Sequence, residues 1–275
     1  MQLTVDGLST YVYTAGKKLN PDLPAVVFIH GAELDHSCWT LQSRWCAHHG
    51  YATLAVDLPG HGRSAGPALA SIVAMANWIV ALLDAAGLAR AALVGHSMGS
   101  LIALETAASH AQRVSALALL GHASPMPVSD MLLAAAKNDE ALAQQMVNIW
   151  SHSARGHVGG NTAPGLWLLG MNQRLMERSD PGLLHNDLSA CNDYRQGLAQ
   201  AARVTSPALL LCGSGDLMTP AKATLDIAKA LPRMQRVVLP GAGHAMMAEQ
   251  PDAVLDALIA FLAPLKAQAP AATPA

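Results

Sequence analysis

The amino-acid sequence predicts an α/β protein: a mostly parallel central sheet with helices on both faces, interrupted by a helical insertion. Three observations predict it. Short runs made almost wholly of apolar residues recur at Ala25–Ile29, Ala52–Val56, 91–94, Val114–Leu120 and 208–212, as strands buried on both faces require. Helix-length stretches separate these runs, and strand–helix alternation builds a parallel sheet with helical crossovers. Between 124 and 203 the alternation stops, and helical patterns broken by Gly, Pro and Asn continue without a buried strand.

The elements follow in order. Residues 3–13 alternate around Asp6-Gly7 and predict a β-hairpin. The strand Ala25–Ile29 ends abruptly at His30-Gly31, and a helix is expected over 38–49, with His48-His49 at its end. The strand Ala52–Val56 runs into a turn-rich loop, DLPGHGRS at 57–64, before a long helix over 70–86. A strand at 91–94, a helix to about residue 110 and the strand Val114–Leu120 complete the first half. The insertion carries helical stretches at 131–150, 166–178 and 187–202. Beyond it come a strand at 208–212, a helix at 220–231, a strand at 236–239 and a helix at 251–265. The predicted organisation is therefore a core in two parts, 1–123 and 204–265, with the insertion 124–203 after the sixth strand. An Ala/Pro-rich tail, 266–275, is expected to be disordered.

Composition narrows the function classes. Of 275 residues, 52% are hydrophobic and 13% charged, which suits a folded globular chain. With 17 basic and 19 acidic residues and no basic run, neither nucleic acid nor an anionic membrane is an expected partner. A mean hydropathy of +0.27 raises the question of a membrane span. The apolar stretch 72–88 is broken by Asn77, Asp84 and Gly87, short of the ~20 clean residues a span needs. The N-terminal MQLTVDGLST shows neither a basic start nor an apolar core, so no secretory signal is expected and a cytoplasmic location is the default. Cys38, Cys46, Cys191 and Cys212 form no CxxC pair and are expected as reduced thiols. The twelve histidines show no metal-ligand spacing, so neither a metal nor another cofactor is expected.

The chemistry-bearing motif is Gly95-His96-Ser97-Met98-Gly99. Its G-x-S-x-G pattern arises by chance in roughly one chain in ten of this length, given glycine usage of about 7%. Its setting is more specific: a buried strand precedes it and a helix opens after it, as a nucleophile elbow requires. A serine hydroxyl is a weak nucleophile and needs a base within reach, itself oriented by a carboxylate. In such a fold the chain order is Ser, then Asp or Glu, then His. Asp216 follows the strand in LLLCGSGD, and His244 follows the strand in VVLPGAGH, so both lie on the sheet edge that carries Ser97. The candidate catalytic residues are Ser97, Asp216 and His244. The backbone N–H groups of Ala32 and Met98 are the candidate oxyanion hole.

FIHG at 28–31, DLPGHGRS at 57–64, GHSMG at 95–99, LLLCGSGDLMTP at 209–220 and PGAGHAMMAEQP at 240–251 together resemble the α/β-hydrolase fold superfamily. The resemblance spans both sides of the insertion, where that family carries a helical lid. Some relatives place the acid after the strand that here is Val114–Leu120. That strand ends in Gly121-His122 with no carboxylate before Asp130, which favours Asp216. Asp57 and Glu105 are expected to be structural, His96 to pack within the elbow, and His61 to have at most a minor direct role. Candidate pocket residues are His30, Trp39, Trp150, Trp167 and Met171, with His152, His157, Asn161 and Asn172 beside them in the insertion.

Serine at the elbow implies an acyl-enzyme and therefore a small substrate with an acyl-type carbonyl, an ester or thioester. Relatives that use aspartate there, the haloalkane dehalogenases and epoxide hydrolases, are excluded. Carbon–carbon hydrolases of aromatic ring-cleavage products keep Ser, Asp and His, but many carry a tryptophan soon after the histidine, where this chain has Ala245-Met246-Met247. A cofactor-free perhydrolase type is compatible with Trp39. A ligand receptor on the same fold is the alternative of another class, though a pure binder would be free to lose those three residues.

Overall fold

In the computed structural model, which describes residues 1–160, 162 and 165–267, the chain forms one eight-stranded sheet. Its strands are β1 (Gln2–Val5), β2 (Leu8–Tyr13), β3 (Ala25–Ile29), β4 (Ala52–Val56), β5 (Ala91–His96), β6 (Val114–Leu120), β7 (Ala208–Gly213) and β8 (Met234–Leu239). Their order is β1-β2-β4-β3-β5-β6-β7-β8. The hairpin β1–β2 joins β4 antiparallel, and every pair from β4 to β8 is parallel.

Alternation within the strands builds two cores. Val27 and Ile29 of β3, Leu54 of β4, Leu93 of β5 and Leu117 of β6 point to one face. There they pack with α2 (Ile72–Ala85) and α3 (Met98–Ser109). Val26, Phe28, Ala55, Val94 and Ala118 point to the other face, where Cys46 of α1 (Thr40–His48) and Val254 and Leu258 of a C-terminal helix cover them. Strands sandwiched in this way need apolar side chains at every position, which explains the unbroken runs in the sequence. Ser71 caps α2 by accepting from the Ala74 N–H.

The chain leaves β3 toward β4 on one side and resumes at β5 on the other. The carboxyl ends of β3 and β5 therefore flank a topological switch point, where open α/β sheets hold their sites.

Among the described residues six helices lie between β6 and β7: α4 (Asp130–Asn138), α5 (Glu140–Ser151), α6 (Ala154–His157), α7 (Leu168–Met176), α8 (Leu183–Asp193) and α9 (Gly197–Ala201). α4, α5, α7 and α8 share a small core of their own that includes Leu132, Ala143, Met176, Leu184 and Leu188. The single helix expected over 131–150 is two, because Asp139 leaves helical geometry (φ −150, ψ 74) and its side chain caps the Leu142 N–H. The helix expected over 187–202 is likewise divided, into α8 and α9. After the insertion come α10 (Leu225–Ala230), α11 (Met246–Glu249) and α12 (Pro251–Ala267). Lys266 and Ala267, placed in the tail by sequence, belong to α12; the remainder of that expected tail, 268–275, lies outside the described residues. Among the described residues no helix is long and apolar enough to cross a membrane.

Candidate active site

Ser97 stands between β5 and α3 with φ +54 and ψ −119, a strained position for a residue with a Cβ. Its surroundings over-determine that geometry. The Ser97 N–H donates to the Leu120 carbonyl of β6 at 2.9 Å, and the Ser100 N–H donates to the Ser97 carbonyl at 2.8 Å. The motif glycines are needed for contact: a Cβ at Gly99 would overlap the Ile29 and His30 carbonyls, and one at Gly95 the backbone of Gly99. Their absence of side chains lets α3 sit against the end of β3 and brings the loop after β3 beside the serine.

Asp216 lies beyond β7 and His244 beyond β8. The His244 Nδ1–H donates to Asp216 Oδ2 at 2.8 Å, with both residues buried. Three further donors fix the carboxylate. The Met218 and Thr219 N–H groups reach Oδ1 at 2.8 and 2.7 Å, and the Thr219 hydroxyl reaches Oδ2 at 2.7 Å. Burial alone would raise the Asp216 pKa, but His244 and these donors more than offset it and hold the acid below its ordinary value. With Nδ1 engaged, Nε2 is the nitrogen of His244 left for the cavity that the residue lines together with Ser97. No hydrogen bond joins Ser97 Oγ to His244 among the described residues; in substrate-free enzymes such contacts are often long and tighten only on binding.

Two backbone donors are free nearby. Met98 opens α3, where the first N–H groups have no intrahelical partner and favour negative charge. Ala32 lies on the loop after β3. Among the described residues neither N–H finds an acceptor within the protein. A Cβ built on the neighbouring Gly31 would lie 3.2 Å from the Ser97 Cβ, so this loop touches the serine.

These groups open into a mostly apolar cavity of about 640 Å³ between the sheet edge and the insertion. Of the five pocket residues expected from sequence, Met171 lines it. The other four are placed elsewhere. Trp39 is fully buried against Phe28, ring centroids 5.2 Å apart, because the face of β3 beneath it is apolar. His30 is buried in the loop, its Nδ1–H donating to the Gly31 carbonyl and its Nε2 accepting from the Leu58 N–H. Trp150 packs on the small core of the insertion, and Trp167 is 73% exposed. His152 and Asn172 do line the cavity; His157 is exposed, and Asn161 lies outside the described residues.

Residues 24–251 match the alpha/beta hydrolase fold family. The chain belongs to that family. It is 30% identical over 242 residues to a Klebsiella pneumoniae protein named "Putative carbamate hydrolase RutD", covering 82% of this chain and 86% of that one. Its fold is that of an esterase from Exiguobacterium antarcticum (TM-score 0.83, 21% identity, 96% and 99% of the two chains). An enol-lactonase from Burkholderia xenovorans LB400 shares it as well (TM-score 0.82, 24% identity, 96% and 100%). The chain is thus an enzyme of the α/β-hydrolase class.

Several residues of this hydrolase that frame the site were not singled out from the sequence. Thr219 orients Asp216 from three positions on, a local turn spacing that could have flagged it. Glu249 accepts from the Gly243 N–H at 3.0 Å and from the N–H and hydroxyl of Ser153, joining the His244 loop to the insertion. Asp187 of α8 accepts from His61 Nε2 and from the Glu33 N–H, at 2.8 and 2.9 Å. No local pattern announces either of these long-range contacts. Asp57 and Glu105, expected to be structural, each accept several hydrogen bonds within the protein. Asp57 accepts from the His36 and Arg63 N–H groups at 2.7 and 2.9 Å, and Glu105 accepts from Tyr194, Ser109, Gln196 and Gln200. Asp35, His36 and Asp57 are the one cluster among the described residues whose ligand atoms could meet on a metal ion.

Proposed function

We propose that this enzyme hydrolyses a carboxylic ester of a small, largely apolar substrate through an acyl-enzyme on Ser97. The observation that carries the proposal is the buried Asp216–His244 hydrogen bond, placed so that His244 and Ser97 share one cavity. His244 Nε2 takes the Ser97 proton as Oγ attacks the carbonyl carbon, and Asp216 holds the imidazole in the required tautomer and stabilises the imidazolium. The Ala32 and Met98 N–H groups receive the developing oxyanion. His244 then protonates the leaving alcohol, and a water activated by the same histidine releases the acid.

A thioester would follow the same steps. A carbamate, the substrate in the name of one relative, presents a similar carbonyl. Carbon–carbon hydrolysis of a ring-cleavage dienoate is less well supported, because that substrate carries a carboxylate. The cations bordering the cavity, Arg174 and Arg178, are already paired with Glu177 and Asp35. The test is turnover of short- and medium-chain acyl esters beside a dienoate, with Ser97→Ala as control. Ester turnover that falls at least ~10³-fold in the variant is expected. Turnover of the dienoate alone would replace the ester by the carbon–carbon substrate.

A further inference from the structure

His152 stands where α5 ends, and the insertion is pinned to the His244 loop on both sides of it. The Ala245 N–H donates to the Ser151 carbonyl at 2.8 Å. The Ser153 N–H and hydroxyl donate to the carboxyl group of Glu249, which also accepts from the Gly243 N–H. The flanking residues are therefore tied to the segment that carries His244, and His152 has a fixed place in the cavity wall.

Its tautomer follows from its partner. Nδ1 lies 2.8 Å from the Asn148 carbonyl, which can only accept, so Nδ1 carries a proton. Burial lowers the pKa of the ring and keeps it neutral. A neutral imidazole protonated at Nδ1 has a lone pair at Nε2, and the one hydrogen bond of this ring among the described residues is the Nδ1 bond to Asn148. The surrounding wall is mostly apolar, including Val147, Leu168 and Met171, and its bordering arginines are paired. It shares this wall with other polar side chains, Gln42 and Asn172 among them, and a small number of polar groups in a mostly apolar wall fixes the orientation of a ligand.

We infer that His152 Nε2 accepts a hydrogen bond from the substrate, so that the preferred ester is uncharged, largely apolar and carries a hydroxyl or N–H on its acyl or alcohol part. This inference rests on the proposed ester hydrolysis and deepens it. A substrate lacking the donor leaves the nitrogen desolvated and unpaired, whereas one that supplies it satisfies both partners.

The test compares p-nitrophenyl esters of one acyl chain, plain and hydroxylated at successive carbons, together with esters hydroxylated on the alcohol side. The wild type should favour one hydroxylated ester by about tenfold or more in kcat/KM. His152→Leu should bring that ratio close to one, and His152→Gln, whose amide oxygen can accept, should restore part of it. A wild type that hydrolyses plain esters without preferring any hydroxylated one overturns the inference, as does a His152→Leu enzyme that keeps the preference. Matched methyl ketones, plain and hydroxylated, binding to the Ser97→Ala protein give the same comparison without turnover. If no ester is hydrolysed the ester proposal fails, while ketone binding still decides the role of His152.

Discussion

Two buried histidine–aspartate pairs, each 2.8 Å long, lie in different regions of this enzyme. One, His244–Asp216, sits on loops after β8 and β7 at the sheet edge. The other, His61–Asp187, joins the loop after β4 to α8 of the insertion. His61 spends both nitrogens: Nε2 on Asp187 and Nδ1 on the Pro59 carbonyl at 3.0 Å. Both must donate, so the ring is an imidazolium; burial pulls its pKa down, but Asp187 draws it further up, above the ordinary value. His244 spends one nitrogen on Asp216 and leaves the other for the cavity that it lines together with Ser97. A His–Asp bond is thus not by itself a reactive site. The two proposed roles, base and fastener, differ in the second nitrogen, which His61 spends and His244 leaves without a partner among the described residues.

Cutting each pair should have opposite consequences. In Asp216→Asn the group that fixes the Nδ1–H tautomer of His244 is replaced by an amide, and kcat should fall about 10³–10⁴-fold while the fold persists. Single-turnover acylation measures this; a drop of less than tenfold would remove Asp216 from the mechanism. In Asp187→Ala the charge of His61 and the Glu33 N–H lose their common acceptor inside the protein. Such a cut should cost about 3–5 kcal/mol of unfolding free energy. Urea denaturation that gives a midpoint equal to wild type would show that the pair does not fasten the insertion.

A graded, pH-dependent effect comes from the neighbour of that second pair. Glu33 is 1% exposed, its Oε1 accepts from Gln144 at 2.8 Å, and its Oε2 has no partner among the described residues. Burial, with Glu140 and Asp187 adding to it, pushes its pKa to about 8 against the effect of the Gln144 bond. Between 4.5, its ordinary value, and about 8, the native state holds a proton that the unfolded chain has lost. The stabilisation is therefore complete below that window and declines by up to about 1.4 kcal/mol per pH unit across it as pH rises. Thermal melts across this range should show the slope in the wild type and its loss in Glu33→Gln; identical slopes would place the titration elsewhere.

What the sequence made legible follows the range of the forces involved. Ser97, Asp216 and His244 stand in local strand–turn contexts, and the structure brings the last two into contact and has Ser97 and His244 line one cavity. The strands were readable because each is buried on both faces. The wall of the cavity was not, because a large aromatic is equally at home in a core, on a surface or in a pocket. Trp39 and Trp167 were both expected in that wall; neighbouring β3 buries the first, and the second is largely exposed. The break at Asp139 had a local signal, a capping side chain in an otherwise helical run, while Glu249, Asp187 and Glu33 depend on partners far along the chain.

The central claim is that Ser97 is the nucleophile activated by His244. Reaction with a fluorophosphonate followed by peptide mass spectrometry tests it most directly. A single adduct on Ser97, formed more slowly in Asp216→Asn and absent in Ser97→Ala, is the predicted result. Folded wild-type protein that stays unlabelled, or carries the adduct on another residue, would contradict it.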